Sequence, residues 1–282
     1  MMTDKTFDAV LAQYEQNTKP FGDQPMMSQE DRMKRYFAAI LPKGENSGQR
    51  RIRILPTTDG SSPFKEVWFH EIQVNGTYNK LYDPDKNEGG RSPLTEVYEE
   101  LMKTGKQTDK DLAAQYKARK FYIVKVIDRD AEDEGVKFWR FKHNYKNEGI
   151  LDKIIPIWRA KGDITDPDNG RDIILELTKA KTPKGATYTV IQTIMYDDPA
   201  PVHEDKDLAK SWIEDELTWE DVYSKKPVEY LEAIARGETP RWDSEKGGYV
   251  YGNSTSGEIM LGGDETYVDP QANAEVDEDL PF

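Results

Sequence analysis

Between residues 49 and 191 the chain is written in short β-type runs, each stopped by a turn signal before it can lengthen. Arg51-Ile52-Arg53-Ile54-Leu55 alternates charge with aliphatic side chains up to Pro56. A period of two sends Ile52 and Ile54 toward a core and Arg51 and Arg53 toward water. Residues 64–74 read as a second strand. Asn75-Gly76 then turns the chain into a partner beginning Thr77-Tyr78, because Asn-Gly suits the backbone twist of a two-residue hairpin. Further runs are Lys120 to Ile127, Val136 to Phe141, Ile173 to Leu177 and Tyr188 to Ile191. Six or so short strands with helical insertions exclude a helical bundle. They predict a mainly β chain (α+β), built as a small, elaborated barrel.

The insertions carry their own signals. Ser92 can cap a helix whose first turn holds Pro93 and whose apolar face is Leu94, Val97, Tyr98, Leu101 and Met102. Asp109 is the expected cap of a second helix through Leu112, Ala113 and Tyr116, so the insertion spans about 92–118. Residues 83–91 and 163–172 read as loops. A helix around 150–158 contains Pro156 and is expected to bend there or end just before it. Ahead of the barrel, residues 1–45 read as an arm. It holds an amphipathic stretch (Phe7, Val10, Leu11, Tyr14), breakers, and a helical piece through Met33, Tyr36, Phe37 and Ile40. The core is then 46–200, and 201–240 is a helical extension. There Thr218 caps one helix, and Pro227 opens another that Gly237 stops. Residues 241–282 are expected to be a disordered acidic tail.

Charge supports that division. The 282 residues carry 39 Lys and Arg against 53 Asp and Glu, a net −14. Residues 1–198 balance at 32 of each sign, so the whole excess lies in the last 84 residues. From residue 247 onward there are eight acids and no base, a composition that cannot bury enough surface to fold alone. Residues 50–196 hold 26 bases and 23 acids, so the body is slightly basic. No cysteine is present, which excludes disulfides, thiolate zinc sites and Cys catalysis, and fits a reducing compartment. No apolar run approaches the ~20 residues of a membrane helix, and no signal peptide is read, so a cytoplasmic protein without a membrane partner is expected.

No constellation points to catalysis. His70, His143 and His203 stand alone, and no nucleophile elbow, phosphate loop or dinucleotide fingerprint occurs. No enzymatic activity, metal or cofactor is expected. The acidic loop of Asp163, Asp166, Asp168 and Asp172 fails the calcium register, since Gly170 in the sixth position would put Pro167 in the third.

Aromatic and basic residues are instead interleaved on the strands: Arg119-Lys120-Phe121-Tyr122, Lys137 to Lys142 around Trp139, and Lys179 to Lys184 followed by Tyr188. Single-stranded nucleic acid calls for this combination, with cations for phosphates and flat rings for unstacked bases. A barrel with an aromatic core and a cationic surface produces the same pattern. On the binding reading the stacking candidates are Tyr122, Trp139 and Tyr188, then Tyr116, Phe121 and Tyr82. The phosphate candidates are Arg51, Arg53, Arg119, Lys120, Arg140, Lys142, Lys179 and Lys181. Strand alternation cannot place all of them on one face, because Trp139 and Arg140 point opposite ways.

Two resemblances sharpen this. Asp277-Glu278-Asp279-Leu280-Pro281-Phe282 resembles the acidic tip, ending in Pro-Phe, of bacterial single-stranded DNA-binding proteins. That likeness implies docking of replication and repair partners on Phe282, Pro281 and the preceding acids. Gly48-Gln49, Ile52-Arg53-Ile54-Leu55-Pro56, Pro63-Phe64, Arg119 to Val126, Glu134-Gly135-Val136, Trp139-Arg140-Phe141 and Leu151-Asp152-Lys153-Ile154 together resemble the core of the helix-destabilising single-stranded DNA-binding proteins of T-even phages. The resemblance implies an oligonucleotide-binding (OB-fold) barrel and a role in coating and protecting single-stranded DNA during replication, recombination and repair. It also implies possible self-association on DNA and a place in the host cytoplasm. That family carries a His and Cys zinc site between the first strands and the Arg/Lys-aromatic strand, and this chain has no Cys. Either hydrophobic packing of the helix from Pro93 replaces the metal as the staple, or the lobe is built differently. The arm is also not especially basic, with five cations against six acids through Arg35. An adaptor or structural phage component using the barrel as scaffold, and single-stranded RNA binding, are the alternatives.

Overall fold

The alternating runs pair into one large sheet. The structure is a computed structural model and describes residues 29–74, 77–181, 187–223, 225–243 and 248–251. Its strands are β1 (Tyr36–Phe37), β2 (Ser47–Ile54), β3 (Lys65–Val74), β4 (Thr77–Tyr82), β5 (Ala118–Asp128), β6 (Val136–Lys142), β7 (Asp172–Lys181) and β8 (Thr187–Tyr196). The hydrogen-bonded order is β1-β6-β5-β2-β7-β8, with β3 also on β5 and β4 on β3. Val74 faces Thr77, the register that the Asn-Gly signal requires, although the turn itself lies outside the described residues.

The expected closure into a barrel is not found: the order runs open from β1 to β8, and β4, paired among the described residues only with β3, is a further edge. The sheet nonetheless curls round one core. Phe37 of β1 and Ile194 of β8 share a cluster with Ile52, Val124, Trp139, Leu175 and the helix residues Ile154 and Ile157. The Leu41 amide, just past β1, donates to Thr189 Oγ1 of β8 at 3.3 Å, so the two ends approach without pairing strands.

The helices are α1 (Gln29–Lys34), α2 (Pro84–Glu88), α3 (Pro93–Lys103), α4 (Gln107–Ala113), α5 (Ile150–Lys161), α6 (Lys206–Ile213), α7 (Trp219–Val222) and α8 (Val228–Ala235). Ser92 caps α3 by accepting from the Thr95 amide, as its position implied. Several expectations are corrected. The loop at 83–91 holds α2, because the Asp83 carboxylate accepts from the Asp85 amide and Pro84 suits the first turn. Asp109 does not cap α4. The helix starts at Gln107, and Asp109 lies in its first turn, where its charge meets the positive end of the dipole. Helix α5 runs through Pro156 to Lys161; burial of Ile154 and Ile157 on either side offsets the lost backbone bond.

Neither flank is a simple appendage. The arm's Tyr36 and Phe37 are buried and add a parallel strand to β6, which ends the helical piece at Lys34. The extension lies on the outer face of β3, β5 and β6, where Val222 and Tyr223 pack with Phe69, Phe121, Ile123 and Phe138. Tyr36 Oη donates to the Val222 carbonyl at 2.7 Å. Beyond it, the first residues assigned to the tail form a hairpin, β9 (Arg241–Asp243) with β10 (Gly248–Val250), pairing Trp242 with Tyr249. The rest of the tail, with the Asp277-to-Phe282 tip, falls outside the described residues, as does the amphipathic stretch of the arm.

Candidate nucleic-acid interface

Strands β5 and β6 are covered on both faces, by the curled sheet's core on one and by the extension on the other. Alternation therefore buries most of their side chains, and several expected contact residues must be reassigned. Trp139 is 1% exposed, edge-on to Phe37 and against Phe141. Phe121 is fully buried against Phe69. Arg140 is 1% exposed, its guanidinium 4.4 Å from the Tyr223 ring centre and 5.1 Å from that of Phe69. None of the three offers a surface to a ligand. Tyr82 is buried too, stacked on Trp219 at 5.8 Å, with its hydroxyl donating to Glu88 at 2.6 Å; burial and that carboxylate push its pKa up.

Arg53, expected to face water, is completely buried. It reaches Asp172 at 3.3 Å, the Asp166 carbonyl at 3.1 Å and the Ala200 carbonyl at 2.6 Å. Arg129 grips the same Asp172 with two nitrogens, at 2.8 and 2.9 Å. The loop closes so tightly over Arg53 that a Cβ on Gly170 would stand 2.5 Å from the Asp166 carbonyl and 2.7 Å from the guanidinium. Asp163 and Asp166 of the acidic loop accept amide hydrogens of their own turns. Arg51 is exposed as expected, but pairs with Asp197 at 2.9 Å.

Three of the remaining candidates, Arg119, Lys120 and Lys142, border a cleft between the sheet and the helical insertion. Its walls are Trp68 of β3, Lys86 of α2, Thr95, Tyr98 and Glu99 of α3, Lys117 to Lys120, and Lys142, His143 and Tyr145 at the end of β6. At about 250 Å³ it is smaller than the ~300–1,000 Å³ typical of small-molecule sites. Register explains its centre: Trp68 lies opposite Lys120, whose ammonium is 5.8 Å from the indole centre and 3.2 Å from Glu66. A file of rings leads outward from the core. The Tyr122 hydroxyl lies 3.2 Å from His143 Nδ1, and Tyr145 stands edge-on to His143 at 4.4 Å, 65% exposed. Tyr122 itself is 7% exposed, its pKa raised by burial, so it supports the file rather than ending it.

Cations outnumber carboxylates here. Five line the cleft against Glu99 alone, and behind it Glu71 is shared by Arg119 at 3.3 Å, Lys142 at 3.0 Å and Lys80 at 3.9 Å. Lys117 is exposed and makes no ion pair among the described residues. Among the described residues Lys86 pairs with its neighbour Asp85 alone, at 3.2 Å, with both side chains exposed. Exposed pairs of this kind contribute little and are easily exchanged for phosphate.

Sequence reasoning placed Arg119, Lys120 and Lys142 at this border and missed Trp68, Tyr98, His143 and Tyr145. The available signal was the continuation of the Lys137-to-Lys142 run into His143 and Tyr145. Tyr116 is half-buried and gives its carbonyl to His70. Lys179, Lys181 and Tyr188 stand on the β7–β8 hairpin and form no wall of the cleft; both lysines are exposed.

Among the described residues no group of three His, Cys, Asp or Glu is placed to hold a metal ion. No helix there is long and apolar enough to cross a membrane. The sequence model of a family described as gp32 DNA binding protein like matches residues 46–237. No curated protein matches the chain.

Proposed function

The chain belongs to the gp32-like DNA-binding protein family, and from that premise we propose that its ligand is single-stranded DNA, bound in the Trp68–Lys120 cleft without catalysis. The observation that carries the reading is the cross-strand pair itself, a half-buried indole facing an ammonium, ringed by Tyr98, His143 and Tyr145 and by an excess of cations. An unpaired strand exposes π-faces that such rings can stack, whereas a duplex hides them. Phosphates would exchange with Glu66, Asp85 and Glu71 as partners of Lys120, Lys86 and Lys142. An OB-type fold with an open, curled sheet is part of this reading, supported by the shared core of β1 and β8 and the bond from Leu41 to Thr189. So is a role in phage replication or recombination within a host cytoplasm, with the acidic tip from Asp277 to Phe282 recruiting partner proteins; both rest on the sequence resemblance.

The test is a titration of the full chain with oligo-dT, oligo-U and duplex DNA by fluorescence anisotropy, at low and raised salt. Tight oligo-dT binding that weakens as salt rises, with duplex far weaker, supports the reading, since phosphate contacts release counterions. Preference for oligo-U would make RNA the ligand, and absence of binding to all three would overturn the assignment in favour of an adaptor.

A further inference from the structure

His70 and Asp83 are fully buried, and Ser92 is 3% exposed. They form a polar knot beside the apolar cluster of Ile72, Leu81 and Leu94. His70 Nδ1 lies 2.7 Å from the Tyr116 carbonyl, so this nitrogen must carry the hydrogen and donate it. His70 Nε2 lies 3.3 Å from Ser92 Oγ and 3.5 Å from Asp83 Oδ1. Thr95 Oγ1 donates to the other Asp83 oxygen at 3.3 Å. A His, an Asp and a Ser side by side suggest nucleophilic catalysis, but no substrate reaches them. Ser92 Oγ is already spent on the Thr95 amide as the cap of α3.

Zinc does not fit this donor set either. Only His70 and Asp83 are of ligand type, one imidazole nitrogen is committed to a carbonyl, and Ser92 and Thr95 offer neutral hydroxyls where structural zinc takes thiolate or imidazole. Among the described residues the metal implied by the resemblance therefore has no seat in this lobe.

What the knot joins is informative. Asp83 caps α2, which carries Lys86, and Ser92 caps α3, which carries Tyr98. Tyr116 directly precedes Lys117 and β5. These segments all contribute walls to the cleft. We infer that the His70–Asp83–Ser92–Thr95 network is a metal-free staple that holds α2, α3 and the start of β5 at the spacing nucleic acid requires, making His70 a positioning residue for Lys86, Tyr98 and Lys117. The inference rests on the reading of the cleft as the DNA site.

The experiment compares the full-length chain with His70→Ala and Ser92→Ala, each with and without chelator, by oligo-dT anisotropy and amide hydrogen exchange. The staple predicts no effect of chelator on either readout. It predicts about tenfold weaker oligo-dT binding for His70→Ala and a smaller loss for Ser92→Ala, because each leaves a buried polar partner unsatisfied. It further predicts faster exchange confined to residues 84–103 and 117–120, with β2 and β7 still protected. Sensitivity to chelator would overturn the metal-free assignment. Full affinity in both variants, or global unfolding of both, would overturn the positioning role. If the wild-type chain fails to bind oligo-dT while the exchange pattern appears as described, the staple stands and the function reading falls.

Discussion

Two cationic regions of this molecule look alike in sequence and behave oppositely in the fold. At the far end of β2, Arg53 and Arg129 meet Asp172, two loop carbonyls and a Gly170 with no room for a side chain, and every charge is spent inside the protein. At the mouth of β5, Lys86, Lys117 and Lys120 meet exposed carboxylates or none. A buried cation must be satisfied by its own chain, because leaving it unpaired costs several kcal/mol. A rim cation can keep its charge for a ligand. The supply of internal acceptors, not the presence of Arg or Lys, separates a structural region from a binding one.

The comparison is broken most directly at Arg53. Arg53→Met should lose about 3–5 kcal/mol of stability, the usual cost of breaking a buried pair. Oligo-dT affinity of the folded fraction should stay unchanged; a loss of affinity without loss of stability in denaturant melts would place Arg53 on the binding side. Gly170→Ala should cost somewhat less, about 1–3 kcal/mol or more by overpacking, since its Cβ would press on two carbonyls and the guanidinium. A wild-type melting curve for that variant would show that the loop is free to yield.

Changes in the cleft should invert the pattern. Trp68→Ala is expected to weaken oligo-dT binding by about 1–3 kcal/mol if the indole stacks on a base, with little shift in melting temperature because the ring is only half-buried. Unaltered affinity would remove Trp68 from the interface. Lys117→Ala should do less at any one salt concentration, yet lower the slope of log affinity against log salt by about one unit, as loss of a single phosphate contact does. A parallel salt line would mean that Lys117 touches no phosphate.

The smallest effect is one of pH. Burial acts to raise the Asp83 pKa, but the bonds from His70, Ser92 and the Asp85 amide outweigh it and hold the carboxyl below its ordinary value. A depressed folded-state pKa contributes stability above the unfolded value of about 3.9, lost as pH falls through the folded one. Melting temperature should therefore decline at acid pH less steeply in Asp83→Asn than in wild type. Equal slopes would show that Asp83 carries no such linkage.

Local signals were legible in the chain. The strands from β2 to β8, the Ser92 and Thr218 caps, the Gly237 stop and the Asn75-Gly76 hairpin signal depend on a few adjacent residues, and sequence alone located them. The run of motifs along 48–154 also placed the body, by resemblance, with single-stranded DNA-binding proteins, whereas the Arg/Lys-aromatic strands by themselves fitted a barrel core equally well. Sequence could not say which face of each strand would be covered. Alternation treats Arg53 and Arg140 as outward, and Tyr122 and Trp139 as available, only while one face is assumed to meet water. Three coverings remove that assumption: the extension beyond residue 201 folds back over β3, β5 and β6 and onto Arg140, the 163–172 loop closes over Arg53, and the curled sheet takes Tyr122 and Trp139 into its core. Pairings such as Trp68 with Lys120, or His70 with the Tyr116 carbonyl, join residues tens of positions apart and follow from register and lobe packing. Residue type and local spacing thus set what chemistry this chain could perform. Tertiary structure decided which cations and rings perform it, because burial, and with it the supply of internal partners, is a property of the whole fold.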